Sequence, residues 1–461
     1  MALAAGCAHF TPQPPAPERT AAALEARSLT TPEFQVFLHT NLSGRLLPGA
    51  PMAWDFEELF LAAVYFHPSL EVARADWAVA RGGERTAAGR PNPTVSAVPG
   101  YDLTPQGATP WFPALTFDVP IEVAGKRGYR RAQAKQLSEA ARWNIAAAAW
   151  QVRAGLRTAW LDLAAARARE SRLAAQLALQ EQVVTSLEQR QAAGALAATE
   201  LLPARIARDK TRLDWLEAKR QAGEALTKVA EAVGVPVAAL GGLTLDARLA
   251  EAPTAALPGA DGEARRQALL GRADIRSALA AYEATQAALQ LEIAKQYPDL
   301  HLGPGYQFDQ GDHKISLSLT AELPILNQNQ GPIAEAGAKR AAAAARLLAL
   351  QAHVIADLDR AEAAATAARA QLTALDGLSA AQQKQQAAVA AQVAAGAADP
   401  LDLLTTRLEL GLSELARLEG RVKLQAALGA LEDAWQQPLA ALRPELIETS
   451  PLSRQTKESN P

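Results

Sequence analysis

The side chains best suited to chemistry are few in this sequence and lie far apart. Six histidines occupy positions 9, 39, 67, 301, 313 and 353, and none has the spacing or the cysteine partner of a metal site. His301, on the polar side of a predicted strand, and His313, at a predicted tip, could each touch a cation, although solvated histidines are the simpler interpretation. No nucleophile motif or pair of facing carboxylates stands out. We therefore predict that the protein is not an enzyme and uses no cofactor.

The segment Gly125-Lys126-Arg127-Gly128 is not a phosphate-binding loop. Such a loop needs a glycine five positions before its Gly-Lys pair, and Pro120 stands there. The segment instead follows a predicted strand and precedes a predicted helix. A second junction of the same kind contains Asn327, Asn329, Gln330 and Gly331. We expect Gly125, Gly128 and Gly331 to supply permissive backbone dihedrals where strand becomes helix.

Four short segments alternate apolar and polar residues, as strands with one apolar and one polar face do. In the clearest, the apolar positions are Ile315, Leu317, Leu319, Ala321, Leu323 and Ile325, and the polar positions are Ser316, Ser318, Thr320 and Glu322. In another, Leu115, Phe117, Val119, Ile121 and Val123 alternate with Thr116, Asp118 and Glu122. The pattern predicts strands at 93–103, 113–123, 298–308 and 314–326.

The chain contains an internal duplication. PTVSAVPGY at 93–101 aligns with PDLHLGPGY at 298–306, DVPI at 118–121 with ELPI at 322–325, and AAGA at 192–195 with AAGA at 394–397. The three matches occur in the same order at a spacing of about 200 residues, far longer than the repeats of solenoid proteins. We predict two copies of a domain-sized unit, at 54–235 and 263–437, joined by an irregular segment at 236–262.

Very long helices connect these strands. We predict helices at 128–193, 199–233, 332–395 and 401–435, and shorter helices before the strands of each half, the first broken near His67-Pro68 and the second at 263–296. The helix predicted at 128–193 would be roughly 95 Å long. Leu401, Leu408, Leu415 and Val422 keep a seven-residue step, the mark of a coiled-coil seam. Helices this long need antiparallel partners from their own and from other subunits.

The strands, rather than the helices, are the segments suited to a membrane. No run of 18 apolar residues is present, and on this ground we expect a transmembrane helix to be excluded. A closed barrel then remains, because lipid cannot satisfy open backbone groups. The net charge of −3 implies no bulk attraction to nucleic acid.

Four strands per chain are too few for a barrel, since transmembrane barrels have at least about eight. Two chains would pool eight strands around a filled interior, and three would pool twelve with room for a channel. The polar inner faces favour three. The predicted fold is an α+β membrane protein with a twelve-stranded trimeric barrel, continued by an α-barrel of long antiparallel coiled-coil helices.

The N-terminal region is predicted to be a lipoprotein-type terminus followed by an extended segment, together covering residues 1–53. Cys7 is the only cysteine, so no intramolecular disulfide can form. The stretch Leu3 to Ala8 resembles the end of a lipoprotein signal, and we expect lipid on Cys7; a chance cysteine in an alanine-rich start is the alternative. Most of a signal is missing, so we expect the natural chain to start further upstream. Pro12 to Pro17 would form an extended tether, and 438–461 a C-terminal tail.

Together these features resemble the outer-membrane efflux (TolC-like) family over roughly residues 54–437. GKRGYR at 125–130 is similar to the GKRG signature of the cobalt–zinc–cadmium branch of that family. LPILNQNQG at 323–331 is similar to the branch's LPxFNRNQG motif, with Leu326 where phenylalanine is common and Gln328 where arginine is common. The resemblance implies export of heavy-metal cations, and the two departures leave the cation open.

The resemblance also implies partners and a location. We expect a passive homotrimeric duct in the outer membrane of a Gram-negative bacterium, surrounded by lipid and extending as an α-barrel into the periplasm. A periplasmic membrane-fusion adaptor and an inner-membrane RND-type pump would be its partners, and nucleic acid would not.

In the family, the turns between paired helices dock the adaptor and constrict the closed tunnel. The corresponding residues here are Gly194, Ala195, Leu196, Gly396, Ala397 and Ala398. The two glycines could equally serve only to end helices. Glu200, Asp399 and Asp402 would form acidic rings at the tunnel mouth of a trimer. The gate-forming aspartates of some relatives have no clear match, since that stretch offers Gln382, Gln383, Gln385 and Gln386.

Two other functions stay open at this stage. A multidrug or type I protein-secretion duct would have the same fold, and only the two metal-branch motifs argue against it. A structural coiled-coil or adhesin-like surface protein would explain the heptads but not the paired alternating strands.

Overall fold

The computed structural model describes residues 10–41, 53–103, 109–247, 262–309 and 311–436. Cys7 and the predicted tail at 438–461 lie outside these residues. The helices are α1 (Pro17–Glu25), α2 (Pro32–Asn41), α3 (Phe56–Phe66), α4 (Pro68–Ala88), α5 (Lys126–Ala192), α6 (Ala198–Val233), α7 (Gly262–Gly271), α8 (Ala273–Ala294), α9 (Gln330–Ala394) and α10 (Pro400–Trp435). The strands are β1 (Ala53–Trp54), β2 (Thr94–Val98), β3 (Ala114–Ile121), β4 (Thr244–Leu245), β5 (Leu300–Asp309) and β6 (Asp312–Ala321).

Two long antiparallel hairpins dominate the molecule. Helix α5 has 67 residues and its partner α6 has 36, while α9 has 65 and α10 has 36. Alanine, leucine, glutamine, glutamate and arginine, all strong helix formers, make up most of these helices. At 1.5 Å per residue α5 is about 100 Å long. It also packs against α4, α8 and α10, so it connects the two halves of the chain.

The sheet has the order β2-β3-β5-β6, and all its neighbouring strands are antiparallel. β2 and β6 are shorter than the predicted strands at 93–103 and 314–326. Ala321 lies opposite Leu300, the first residue of β5, so no described strand remains to pair with residues 322–325. Leu323 and Ile325 therefore lie beyond the end of β6, where the Ile325 N–H turns back to the Leu323 carbonyl at 2.8 Å.

The register places apolar residues on one face of this sheet and polar residues on the other. Leu302, for example, lies opposite both Val119 and Leu319. The apolar face carries Val95, Leu115, Phe117, Val119, Ile121, Leu300, Leu302, Tyr306, Ile315, Leu317 and Leu319. The polar face carries Thr94, Ser96, Thr116, Asp118, His301, Ser316, Ser318 and Thr320. Leu317 is 71% exposed, and an apolar face this open requires cover from outside the chain.

The expectation of an extended N-terminal segment is wrong from Pro17 to Asn41, where helices α1 and α2 form, whereas residues 10–16 belong to no helix or strand. Helix α2 buries Phe34 and Leu38 completely, and the Phe34 ring lies 5.2 Å from the rings of Tyr65 and Phe66 on α3. Arg27 donates hydrogen bonds of 2.7 Å to the carbonyls of Phe66 and Gly234. Phe34 and Leu38 are four residues apart, so they share one helix face and can bury together.

The absence of a long apolar run did not exclude a helix apolar enough to cross a membrane. By length and composition alone α9 qualifies, and 11% of its apolar stretch is buried. The many alanines of α9 raise the mean hydropathy of this stretch, although charged residues prevent an uninterrupted run of apolar residues. In the described chain α9 packs against α10, with Val354 and Leu358 of α9 and Leu431 of α10 in one buried cluster.

Candidate functional site

The two hairpin turns have the same backbone geometry. Gly194 and Gly396 have φ of 76° and 71°, in the left-handed region. At each turn the glycine N–H donates a hydrogen bond of 3.0 Å to the carbonyl three residues earlier. The N–H of the following alanine donates to the carbonyl five residues before that alanine, at 2.9 Å in the first turn and 2.8 Å in the second. This is a Schellman ending, which needs a residue that tolerates positive φ. No described atom lies within 4 Å of a Cβ built at either glycine, so the backbone dihedral rather than crowding favours glycine.

The turns differ in how the return helix begins. At the second turn the Asp399 carboxylate accepts from the Leu401 N–H at 2.9 Å, and the Asp402 carboxylate accepts from the Asp399 N–H at 3.3 Å. This reciprocal arrangement is a capping box. At the first turn, Ala197 precedes α6 and provides no side-chain cap. Asp399 and Asp402 therefore stabilise the start of α10, a role that the sequence analysis did not assign to them.

Asp399 also pairs with Arg190, in the last turn of α5. Arg190 Nη2 lies 2.5 Å from both carboxylate oxygens, so the pair joins the tips of the two hairpins. Arg190 lowers the pKa of Asp399, with a further contribution from the Leu401 N–H, and the same hydrogen bond raises the pKa of Arg190. Asp399 is thus neutralised by a cation, whereas the prediction treated it as part of an open acidic ring.

A comparison of the two halves could have revealed this pair. With the turn glycines aligned, Arg190 corresponds to Gln392 and Asp399 corresponds to Ala197. Each charge replaces an uncharged residue in the other half, and the two charges are opposite. The asymmetry of the duplication is the signal that the sequence analysis missed.

Ion pairs continue along the contact between α5 and α10. Arg157 lies 2.6 Å from Asp433 and 3.1 Å from Glu432, and Arg172 pairs with Glu414. Between these helices lies a groove of about 200 Å³ lined by Arg172, Gln176, Leu179, Arg407, Gly411 and Glu414. A larger groove of about 420 Å³ reaches α6, and Leu415, Leu418 and Val422 of the predicted heptad seam line it. The face of α10 buried against α9 is a different one, where a Cβ on Gly420 would meet the Leu375 side chain at 2.7 Å.

The first strand-to-helix junction, between β3 and α5, makes hydrogen bonds to several other elements. Asp299, which precedes β5, accepts from the Val123 N–H at 3.1 Å and from Lys126 Nζ at 2.8 Å. Arg127 donates two hydrogen bonds, of 2.9 and 2.7 Å, to the carbonyl of Ala88 at the end of α4. Lys126 and Arg127 therefore connect the start of α5 to the residue before β5 and to the end of α4, which is a structural role.

The second junction uses an asparagine in the same way. The Asn329 side-chain amide donates a hydrogen bond of 2.8 Å to the carbonyl of Glu292, in the last turn of α8. The backbone N–H of Asn329 donates to Asn327 Oδ1 at 2.9 Å. Hydrogen bonding to Lys295 and Asn329 lowers the pKa of Glu292 in spite of its partial burial, which acts in the opposite direction.

The expectation about the junction glycines is correct for only one of them. Gly125 has a φ of 73°, whereas Gly128 and Gly331 lie inside α5 and α9 and are not among the described residues with positive φ. Gln330 is the first residue of α9. At the second junction the left-handed conformation is taken by Asn329, with a φ of 62°. Asparagine tolerates this region better than other non-glycine residues.

On the polar face of the sheet, His301 Nδ1 lies 3.0 Å from both carboxylate oxygens of Asp118. Within the described ranges there is no group of three or more histidine, cysteine, aspartate or glutamate side chains that could hold a metal ion. The contacts described above lie at the hairpin turns, along α5 and α10, and at the strand-to-helix junctions.

Comparison with known proteins agrees with this geometry. The family model described as outer membrane efflux protein matches residues 66–235 and 264–436. A search of curated protein sequences finds no match.

Solved structures share the fold. The outer-membrane channel OprN is 21% identical, with a TM-score of 0.69 over 83% of this chain and 91% of that one. VceC from Vibrio cholerae is 20% identical, with a TM-score of 0.68 over 84% of this chain and 97% of that one. The open-state MtrE channel of Neisseria gonorrhoeae is 20% identical, with a TM-score of 0.63 over 82% and 88%. Since the family model covers most of the sequence, this chain belongs to the outer membrane efflux protein family, whose members are passive channels of the Gram-negative outer membrane rather than enzymes.

Proposed function

We propose that this protein is the outer-membrane exit duct of a tripartite efflux system. Three copies would pool their strands into a twelve-stranded barrel and their hairpins into a periplasmic α-barrel. A membrane-fusion adaptor would dock at Gly194–Leu196 and Gly396–Ala398 and connect the duct to an RND-type pump. The observation that carries the proposal is the sheet, which has one open apolar face and one polar face and is joined to two very long hairpins.

The open edges of the sheet support an assembly of three copies. In the described chain β2 and β6 each pair on one side only, so each leaves a row of backbone groups open. Lipid cannot satisfy these groups, and four strands cannot close on themselves. Three copies close the sheet with a channel inside it.

The oligomeric state and the conductance test this proposal together. Native mass measurement of the detergent-solubilised protein should show a trimer, and the trimer should form channels in planar bilayers. A stable monomer or dimer would contradict the duct.

For the substrate, we propose a heavy-metal cation. The support is the similarity of residues 125–130 and 323–331 to the metal-branch motifs, and the charge of the polar sheet face, which carries Asp118, Asp309 and Asp312 against Lys314. Negative walls favour cations. The departures at Leu326 and Gln328 keep a multidrug or protein-secretion duct of the same fold as the second candidate.

Expression in a strain that lacks its own exit ducts, together with each class of pump and adaptor, separates these substrates. Restored growth in toxic metal salts but not in drugs supports the metal branch. Restored drug resistance or protein secretion without metal resistance supports the second candidate.

We further propose that Arg190 and Asp399 hold the hairpin tips together in the closed duct, and that Glu200 and Asp402 provide the remaining acidic charge of the mouth. Lipid on Cys7 would add a second attachment to the membrane. Labelled palmitate should enter the full-length precursor but not its Cys7→Ala variant, which should still form the barrel because the sheet supplies the main apolar surface. Equal labelling of the two proteins would remove lipidation at this cysteine.

A further inference from the structure

The internal duplication allows the contact between neighbouring copies to be derived residue by residue. In the alignment of the two halves, Val95 corresponds to Leu300, Phe117 to Ala321 and Ile121 to Ile325. Val95 pairs with Phe117 in the first half, and Leu300 pairs with Ala321 in the second. These observed pairs are counterparts, so the duplication preserves the register within each half.

A third observed pair joins the two halves. Ile121, at the end of β3, lies opposite Leu300, at the start of β5. The counterpart of this contact would join the end of β6 to the start of β2. The two residues of this contact are Ile325 and Val95. Within one chain Val95 lies on the edge strand β2, and Ile325 follows the opposite edge strand β6.

We infer that β6 extends through Ile325 in the assembled protein and pairs with β2 of a neighbouring copy, with Ile325 opposite Val95 and Leu323 opposite Ala97. This inference rests on the proposed trimeric duct, and it adds the register and the residues of the junction between subunits.

The faces of the sheet provide an independent check. A slip of one residue would turn every side chain of the extension to the wrong face. In the inferred register Leu323 and Ile325 continue the apolar face, which already carries Val95 and Ala97. These residues lack cover in the single chain, where Leu323 is 68%, Ile325 74% and Val95 62% exposed.

Pro324 is compatible with the extension. Its counterpart is Pro120, which lies within β3 and stands opposite His301. The turn between Ile325 and Leu323 is held by one local hydrogen bond of 2.8 Å, which the ladder to a second copy can replace. The strand predicted at 314–326 ends early in one chain because its partner is supplied by the next chain.

Cysteine pairs in a Cys7→Ala background test the register. Residues opposite each other on antiparallel strands lie about 4.5–5.5 Å apart, within disulfide range, whereas diagonal neighbours lie about 7–8 Å apart. Val95→Cys with Ile325→Cys should give chains linked in trimers under mild oxidation. Ala97→Cys with Ile325→Cys is the diagonal control and should link several-fold less. Each single variant should form unlinked trimers, which establishes that it folds.

Charge substitution gives a second readout. Ile325→Asp should abolish stable trimers because its side chain faces lipid. Leu326→Asp should be tolerated because the extended strand turns that position to the polar side, although Leu326 is 99% exposed in the single chain. The inferred register would be overturned if the diagonal pair cross-linked as well as or better than the opposite pair. It would also be overturned if Ile325→Asp and Leu326→Asp reduced the amount of stable trimer equally, and in both cases the proposed duct would remain. Trimers in which neither pair links would do the same, and a wild-type protein that forms no trimer would refute the proposed duct itself.

Discussion

Arg190 and Asp399 are 209 positions apart in the chain, yet Arg190 Nη2 lies 2.5 Å from both carboxylate oxygens of Asp399. The pair joins the last turn of α5 to the first residue before α10. It sits at the periplasmic end of the proposed duct, where a closed tunnel must be held shut.

Asp399→Asn should increase the leak of the closed duct. Asparagine is as good an N-cap as aspartate, so α10 should still begin correctly while the charge of the pair is lost. High salt should raise the leak of the wild type toward that of the variant, because exposed ion pairs are screened. Planar-bilayer recordings at low and high salt measure both effects.

Asp402→Asn is the matched control, since Asp402 caps the helix but is not the partner of Arg190. It should change the preference for cations over anions more than it changes the leak. Unchanged conductance and selectivity in the double variant Asp399→Asn/Asp402→Asn would remove the acidic-mouth hypothesis and leave the duct intact.

Acid should open the mouth only at low pH. The folded-state pKa of Asp399 is lowered, so the stabilisation from its charge is complete above the unfolded pKa and is lost as pH falls through the lowered value. The wild-type leak should therefore stay constant through the range where ordinary aspartates titrate and rise below it. A rise centred on the ordinary aspartate pKa would contradict the pairing.

Gly396→Arg should abolish export while trimers persist. The substitution places a long cation on the turn proposed to dock the adaptor, and it does so three times per duct. Gly396→Asn is the control, because asparagine tolerates the left-handed backbone and adds little bulk. Export assays with adaptor cross-linking should show loss for arginine only, and similar loss for both variants would indicate that the backbone rather than docking is at fault.

Gly125→Ala and Gly128→Ala should change stability in opposite directions. Gly125 has a φ of 73°, where alanine costs about 1–2 kcal/mol. Gly128 is helical with open space around it, where alanine gains roughly 0.5–1 kcal/mol. Thermal unfolding of the detergent-solubilised trimer gives both values. A destabilising Gly128→Ala would reveal a close contact from outside the chain.

Glu58→Gln should remove a pH dependence of stability. Burial and the nearby Asp55 raise the pKa of Glu58 to about 7. The stabilisation that this group contributes is present below its unfolded pKa and is lost as pH rises through about 7. Glutamine preserves the capping box at the start of α3, so the variant should lose less stability than the wild type between pH values of about 5 and 8.

His67 acts in the opposite direction, because burial lowers its pKa and the stabilisation it contributes is lost as pH falls. The difference in melting temperature between the wild type and Glu58→Gln at each pH is therefore the quantity to measure. An equal pH dependence of the two proteins would show that Glu58 is charged in the folded state throughout.

Much of the architecture could be predicted from short-range patterns. A strand repeats every two residues and a helix every 3.6, so the alternation around Leu317 and the spacing along α5 indicate their elements without any tertiary information. The duplication identified the two turns at Gly194 and Gly396 as equivalent. The strand ends were less predictable, because pairing partners decide where a strand stops, as Ile325 shows.

Only the tertiary structure decided which distant side chains meet. Arg190 with Asp399 and Lys126 with Asp299 depend on how helices and strands are aligned over tens of ångströms, and an alignment error of one helical turn would separate each pair by about 5.4 Å. The burial of Phe34 likewise depends on the packing of α3 against α2. The sequence alone therefore determined the long helices, the faces of the four sheet strands and their repetition, because backbone geometry carries those locally. The links between elements required the folded chain, because they depend on the relative placement of long rigid bodies.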